Sequence, residues 1–320
     1  MKGTGCCSFL GWPCVFLHCF LAFTVSAGAQ GLAVPAEATE GLRLLYAGEP
    51  DAAVFIFRRL QQEKPEHPLG YVLEANAAWW KIYCAACEIK WNMIDAWKRG
   101  KRAEDDDFFR LTQKSITLAE QQIARKETAE MRLYAGMGRA LEARLYALRD
   151  ERRATARAGV KAREHLLRAI ELDPHLADAF TGIGLYNYYV DTLSWIVKVP
   201  RFFTGIPGGN KQDGIRQLEV AMREGVLTPV EARFYLAKSM RNNEQQYQRG
   251  VELLTPLAKQ FPRNAVFHLL LGDMHAKLGH NAEAAEHFRT AQRLSEGSSP
   301  CAARVRQVAQ QALAGLETRK

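Results

Sequence analysis

Residues 41–57 read GLRLLYAGEPDAAVFIF, and residues 272–288 read GDMHAKLGHNAEAAEHF. Both carry Gly, Gly, Ala and Phe at one spacing: Gly41, Gly48, Ala53 and Phe57, then Gly272, Gly279, Ala284 and Phe288. Recurrence of this kind marks a repeat, and the positions have a physical logic as two antiparallel helices. Gly41 and Gly272 remove a side chain where a facing helix must come close. Ala53 and Ala284 do the same from the partner, and Phe57 and Phe288 fill the remaining space. Gly48 and Gly279 fall where the first helix should stop, because Gly enters the left-handed region there without steric cost.

A Gly midway along a first helix, an Ala and a Phe four apart on a second, and a following Pro resemble the tetratricopeptide pattern. Pro65 supplies that Pro for the first unit and Pro262 for a degenerate unit at 231–264, whose first Gly is replaced by Lys238. Ala162, Leu166 and Pro174 occupy the Ala, Phe and Pro slots of a third, with Leu standing in for Phe. The resemblance implies an all-α, right-handed superhelix of about six helix hairpins. Regular repeats are expected at 34–67, 231–264 and 265–298, expanded hairpins across 68–230, and an amphipathic capping helix at 300–317. Stacked hairpins present an extended concave surface and usually carry no chemistry, so binding is the default expectation.

Composition agrees. The chain has 320 residues, 48% hydrophobic and 24% charged, which is globular, and apolar residues recur at three and four instead of alternating. Strands are therefore not expected. Residues 1–29 differ from the rest: Lys2 is the only charge, an apolar run extends from Val15 to Val25, and small residues follow. This reads as a signal peptide cleaved after Ala27 or Ala29, and predicts an exported protein, periplasmic or secreted. Four of the seven Cys lie in that leader, which leaves Cys84, Cys87 and Cys301 and no disulfide framework. Cys84 and Cys87 read as small packed side chains in an apolar helix that continues through Trp79, Trp80 and Trp91. The formal charge is +8, but Lys98, Arg99, Lys101 and Arg102 run directly into Glu104 to Asp107. With export, that argues against nucleic acid and leaves weak attraction to an anionic surface.

The fourth hairpin is interrupted at 186–210 by YNYYVDTLSWIVKVPRFFTGIPGGN. Its aromatic density and its clustered Pro and Gly rule out a regular connection, and long inserts in repeats commonly sit on the binding face. Three readings stay open. Tyr188, Tyr189, Trp195, Phe202 and Phe203 form pocket walls with Asp191, Arg201 and Lys211 as polar fixers; the apolar and basic residues touch a membrane or another copy; or the segment plugs the solenoid. Its GIPGGNKQ is no phosphate loop, since Asn210 precedes Lys211, Gln212 follows it, and no strand leads in.

The aromatic helix end, the Pro-containing loop and the run from Gly208 to Ala221 look like the segment of the Iml2 and TTC39 type of tetratricopeptide protein. They are also similar to the exported T component of some TRAP solute transporters, which implies a helical protein handling small solutes beside a transport system. No metalloprotease, hydrolase-elbow or paired-carboxylate motif is present. His268 and His275 stand where the repeat expects Trp and Tyr and should pack as aromatics, with no metal and no cofactor. The expected function is an exported, non-catalytic scaffold for a protein or peptide. The alternative is a small or lipid-like ligand held by the insert, with peripheral membrane contact a further option.

Overall fold

The computed structural model describes residues 32–192 and 207–318. Among them, thirteen helices and one hairpin follow in order: α1 (Ala36–Tyr46), α2 (Pro50–Glu63), α3 (Leu69–Ala85), β1 (Cys87–Lys90), β2 (Met93–Ala96), α4 (Glu104–Arg125), α5 (Ala129–Leu148), α6 (Arg152–Leu172), α7 (Ala179–Thr192), α8 (Lys211–Glu224), α9 (Pro229–Asn242), α10 (Tyr247–Gln260), α11 (Ala265–Lys277), α12 (Asn281–Leu294) and α13 (Pro300–Glu317). Six consecutive pairs, from α1/α2 to α11/α12, stack as a right-handed superhelix, and α13 ends it. The leader at 1–29 lies outside the described residues. No described helix is long and apolar enough to cross a membrane.

The repeat signature works as its chemistry requires. A Cβ placed on Gly41 would stand 2.3 Å from the ring of Phe57, and one on Gly272 would stand 2.6 Å from Phe288. Leu166 does this work in the third pair, reaching the Gly136 and Gly182 positions at 2.6 and 2.3 Å. Each wedge is buried, as are Ala53, Ala162 and Ala284 opposite. Filling such a gap stabilises by roughly 1.5–3 kcal/mol per large apolar side chain removed from water, so each wedge is a sizeable local contribution. Gly48 and Gly279 have φ of 87° and 77°, the left-handed helix ends that only Gly takes readily. Lys238, at the missing first Gly, directs its ammonium to Asp95 at 2.8 Å.

Two expectations about the second pair are corrected. Its first helix stops at Ala85, and Cys87–Lys90 pairs antiparallel with Met93–Ala96, Lys90 opposite Met93. Trp91 is therefore not helical: it and Asn92 form a two-residue tip with φ of 50° and 56°, the signs of a type I′ turn. Strands of four residues without clean alternation leave no period-two signal, and Trp is a poor residue for that tip. Holding a bulky side chain there costs of order 1–3 kcal/mol. Second, Cys84 is not simply packed. It forms a disulfide with Cys301, 217 residues later, and so ties α3 to the cap α13. Cys87 remains a buried free thiol, pushed up to about 12 by burial and by the neighbouring Asp95 charge.

Candidate functional site

An open concave groove is what stacked hairpins normally leave, but here α3 runs across it. Its all-round apolar surface meets the inner helices of later pairs. Trp80 packs on Phe234 with centroids 4.8 Å apart, and Tyr83 on the same ring at 5.7 Å. Beside these rings runs a polar seam to α9, whose Glu231, Tyr235, Lys238 and Asn242 share one helical face. Trp79 Nε1 donates to the Tyr235 hydroxyl at 2.8 Å, and Trp80 Nε1 to Glu231 at 3.4 Å. Asp95, brought in by β2, accepts from Tyr83 at 2.9 Å, from Asn242 at 2.7 Å and from its neighbour Ala96 N at 2.7 Å. Burial works against the Asp95 charge, yet Lys238 and these donors hold its carboxyl below the usual range. The first pair closes the ring from the other side, where Asn264 donates to Tyr46 O at 2.8 Å.

A slot remains between α3, α5, α7 and α9. It contains a cavity of about 20 Å³, lined among others by Asn76, Met137, Arg144, Gly182, Thr228 and Glu231. That is room for a water or two at ~10–15 Å³ each. Arg144 bonds Glu231 at 2.9 Å and lies 4.6 Å over the Tyr235 ring, while Asn76 Oδ1 and Arg144 Nε have no partner among the described residues. Asp178 shapes the far end: one carboxylate oxygen accepts from Val226, Leu227 and Thr228 N at 3.1, 2.8 and 2.8 Å, fixing the loop into α9. Met137 and Arg144 are partly buried along the slot. Neither this seam nor the slot was legible beforehand, although Lys238 in place of a repeat Gly was a usable signal.

The insert residues separate into two groups. Trp195, Arg201, Phe202 and Phe203 lie outside the described residues. Tyr188, Asp191 and Lys211 come together where the segment leaves α7 and rejoins α8. Tyr188 is fully buried and donates to Glu244 at 2.8 Å; Lys211 Nζ pairs with Glu244 at 2.9 Å. Asp191 accepts from Lys211 N at 3.0 Å. Tyr186 OH donates to Pro207 O at 2.8 Å, and a Cβ on Gly209 would come within 2.5 Å of Asn187 O. These residues fasten the two ends of the insert together, whereas Tyr189 faces solvent. Burial, then Glu244, pushes the Tyr188 hydroxyl up, so it stays a donor.

The histidines form a column between α11 and α12. His268 donates from Nε2 to Pro262 O at 3.1 Å, which leaves its Nδ1 to accept from His287 Nδ1 at 3.1 Å. His275 stacks on His287 with centroids 5.4 Å apart. Among the described residues, no group of three His, Cys, Asp or Glu side chains is arranged to hold a metal.

A model of the family described as regulator of microtubule dynamics protein 1-3 matches residues 88–265, more than half of the chain. A tetratricopeptide repeat model matches residues 236–299. No protein of curated function matches. Solved structures similar to it include yeast Tom70, 10% identical over 89% of each chain with a TM-score of 0.30. A monomeric mutant of IFIT1 with Gppp-AAAA is 15% identical over 81% of this chain and 71% of the other, with a TM-score of 0.28.

Proposed function

The chain belongs to the regulator of microtubule dynamics protein 1-3 family, and from that premise we propose that it is a non-catalytic scaffold that holds a protein or peptide partner. The observation that carries this reading is the slot. Helix α5 brings Met137 and Arg144 to that slot, with Arg144 fixed to α9 through Glu231. Stacked helical hairpins offer a long inner surface that suits a segment of a protein partner better than a flat face does. The setting proposed is exported, in a cell envelope: the leader motivates it, and a Cys84–Cys301 disulfide favours an oxidising compartment.

Photo-crosslinkers at positions 137 and 189 of the full chain test the reading. Adducts to one partner at both positions, lost on Arg144→Glu, are expected. Crosslinking only from position 55, where Phe55 of α2 is exposed, would overturn it. The family description favours a second reading, a microtubule-bound partner, and co-pelleting with polymerised tubulin would replace the envelope setting with that one. The solute-handling alternative drawn from the transporter-like segment predicts a small molecule retained in native mass spectrometry and lost on Trp195→Ala or Phe203→Ala.

A further inference from the structure

Trp91 is the most exposed large apolar side chain of the ordered hairpin, with 71% of its surface open. It stands in a left-handed conformation that a bulky residue adopts at a cost, at the tip of a hairpin that is anything but loose. Cys87 and Ile94 are buried at its base, Asp95 ties it to α9, and α13 packs on β1 one turn from the Cys84–Cys301 bridge. A costly, exposed aromatic on a rigid mount needs an external contact to account for it.

The surroundings say which kind. Trp97 meets Trp91 edge-on at 5.1 Å, and Lys90 Nζ lies 4.9 Å over Trp91 and 5.7 Å over Trp97. Ile89 is exposed on the same strand. The loop that follows, Lys98 to Arg102, adds four basic residues and no acid. Most of the acidic run behind it is spent elsewhere: Glu104 and Asp105 face Arg149 and Asp107 pairs with Arg110, and only Asp106 takes a cation of this loop, Lys101. Among the described residues Lys90 and Arg102 have no carboxylate at ion-pair distance, while Lys98 and Arg99 have only long contacts of 3.6 and 3.5 Å, to Glu88 and Asp150.

We propose that the Trp91 hairpin is a membrane-docking tip, which places the Trp91 indole at the headgroup level of an anionic lipid surface while Lys90 and the 98–102 loop meet the phosphates. Indoles favour that depth because one edge is apolar and the other donates a hydrogen bond, and basic side chains extend from there to the headgroups. An exposed indole beside Lys90 and a basic loop has the charge that an anionic lipid surface complements.

The test uses the full chain with Trp12→Phe, so that the leader carries no indole, and vesicles with brominated acyl chains. With anionic vesicles, bromine should quench a fluorescence component that vanishes on Trp91→Phe, with helix content by circular dichroism unchanged. Neutral vesicles should quench it far less. A variant with Arg99→Gln, Lys101→Gln and Arg102→Gln should need roughly tenfold more anionic lipid or beyond for the same quenching. Quenching identical in Trp91→Phe would overturn the proposal. So would sedimentation of a dimer that Trp91→Phe dissociates, which assigns the tip to a second copy, or Trp91-dependent binding to an acidic polypeptide without vesicle quenching.

Discussion

The wedge of Phe288 on Gly272 and the seam of α3 on α9 both hold helix to helix, but on opposite terms. The wedge is apolar and local, made within one hairpin by Phe57 on Gly41 and reaching into the next where Leu166 sits between Gly136 and Gly182. The seam is polar and singular, and it joins residues as remote as Trp79 and Tyr235, 156 positions apart. A wedge therefore specifies a hairpin, whereas the seam specifies how far the superhelix winds before it closes on itself. Stacking alone would leave a groove; the seam reduces it to a slot.

Phe288→Ala should weaken the chain by about 3–5 kcal/mol in urea titration, since a buried ring is deleted with little room to collapse. Phe57→Ala should match it to within ~1 kcal/mol if the two wedges are equivalent. A loss below that at either site would break the comparison on the local side. Cys301→Ser comes next, at about 2–4 kcal/mol, because it frees the cap from α3 across a long loop. It should also raise amide exchange in α13 before any other helix, and uniform exchange would show that the bridge adds nothing to closure.

Lys238→Met should cost about 2 kcal/mol, less than a fully buried pair broken in isolation, because Tyr83, Asn242 and a backbone N–H still serve Asp95. Adding Asp95→Asn should recover much of that loss. Strict additivity in this cycle would mean that the seam is not a network. The smallest effect expected is on pH. Burial lowers the affinity of His268, His275 and His287 for a proton, and His268 and His275 lower that of His287 further, to about 4. Glu283 and Glu286 oppose this, and Arg293 and His280 reinforce it. The unfolded chain takes up protons first, so their contribution is complete above pH 6.5 and declines as pH falls towards about 4. Replacing His287 with Gln should flatten that part of the stability profile. An unchanged slope would remove the column from the account.

Much of the fold was readable because helix pairs are written locally: Gly, Ala, Phe and Pro at fixed offsets specify close approach, filling and termination within one hairpin. Leu166 was readable for the same reason, its slot being defined by Ala162 and Pro174. The hairpin at Trp91 was not, since four-residue strands carry too little pattern and the tip breaks turn chemistry. The Cys84–Cys301 bridge was hidden by sequence distance, and so was the seam, whose polar partners acquire meaning only once α3 and α9 are neighbours. Of the insert residues, Tyr188 and Lys211 meet at Glu244 and Asp191 holds the Lys211 amide, a fastening of the two ends that no local spacing announces.

Closure across α3 also sets a timetable for biosynthesis. Ribosomes add ~5–20 residues per second, so Trp79 emerges roughly 8–30 seconds before the tyrosine that caps its indole, 156 residues behind. Through that interval the oily flank of α3 has no cover, and its final tie, at Cys301, arrives 217 residues after Cys84. A nascent chain of this design needs shelter on its way out, and any early stop that deletes the last helix leaves the first half unfinished.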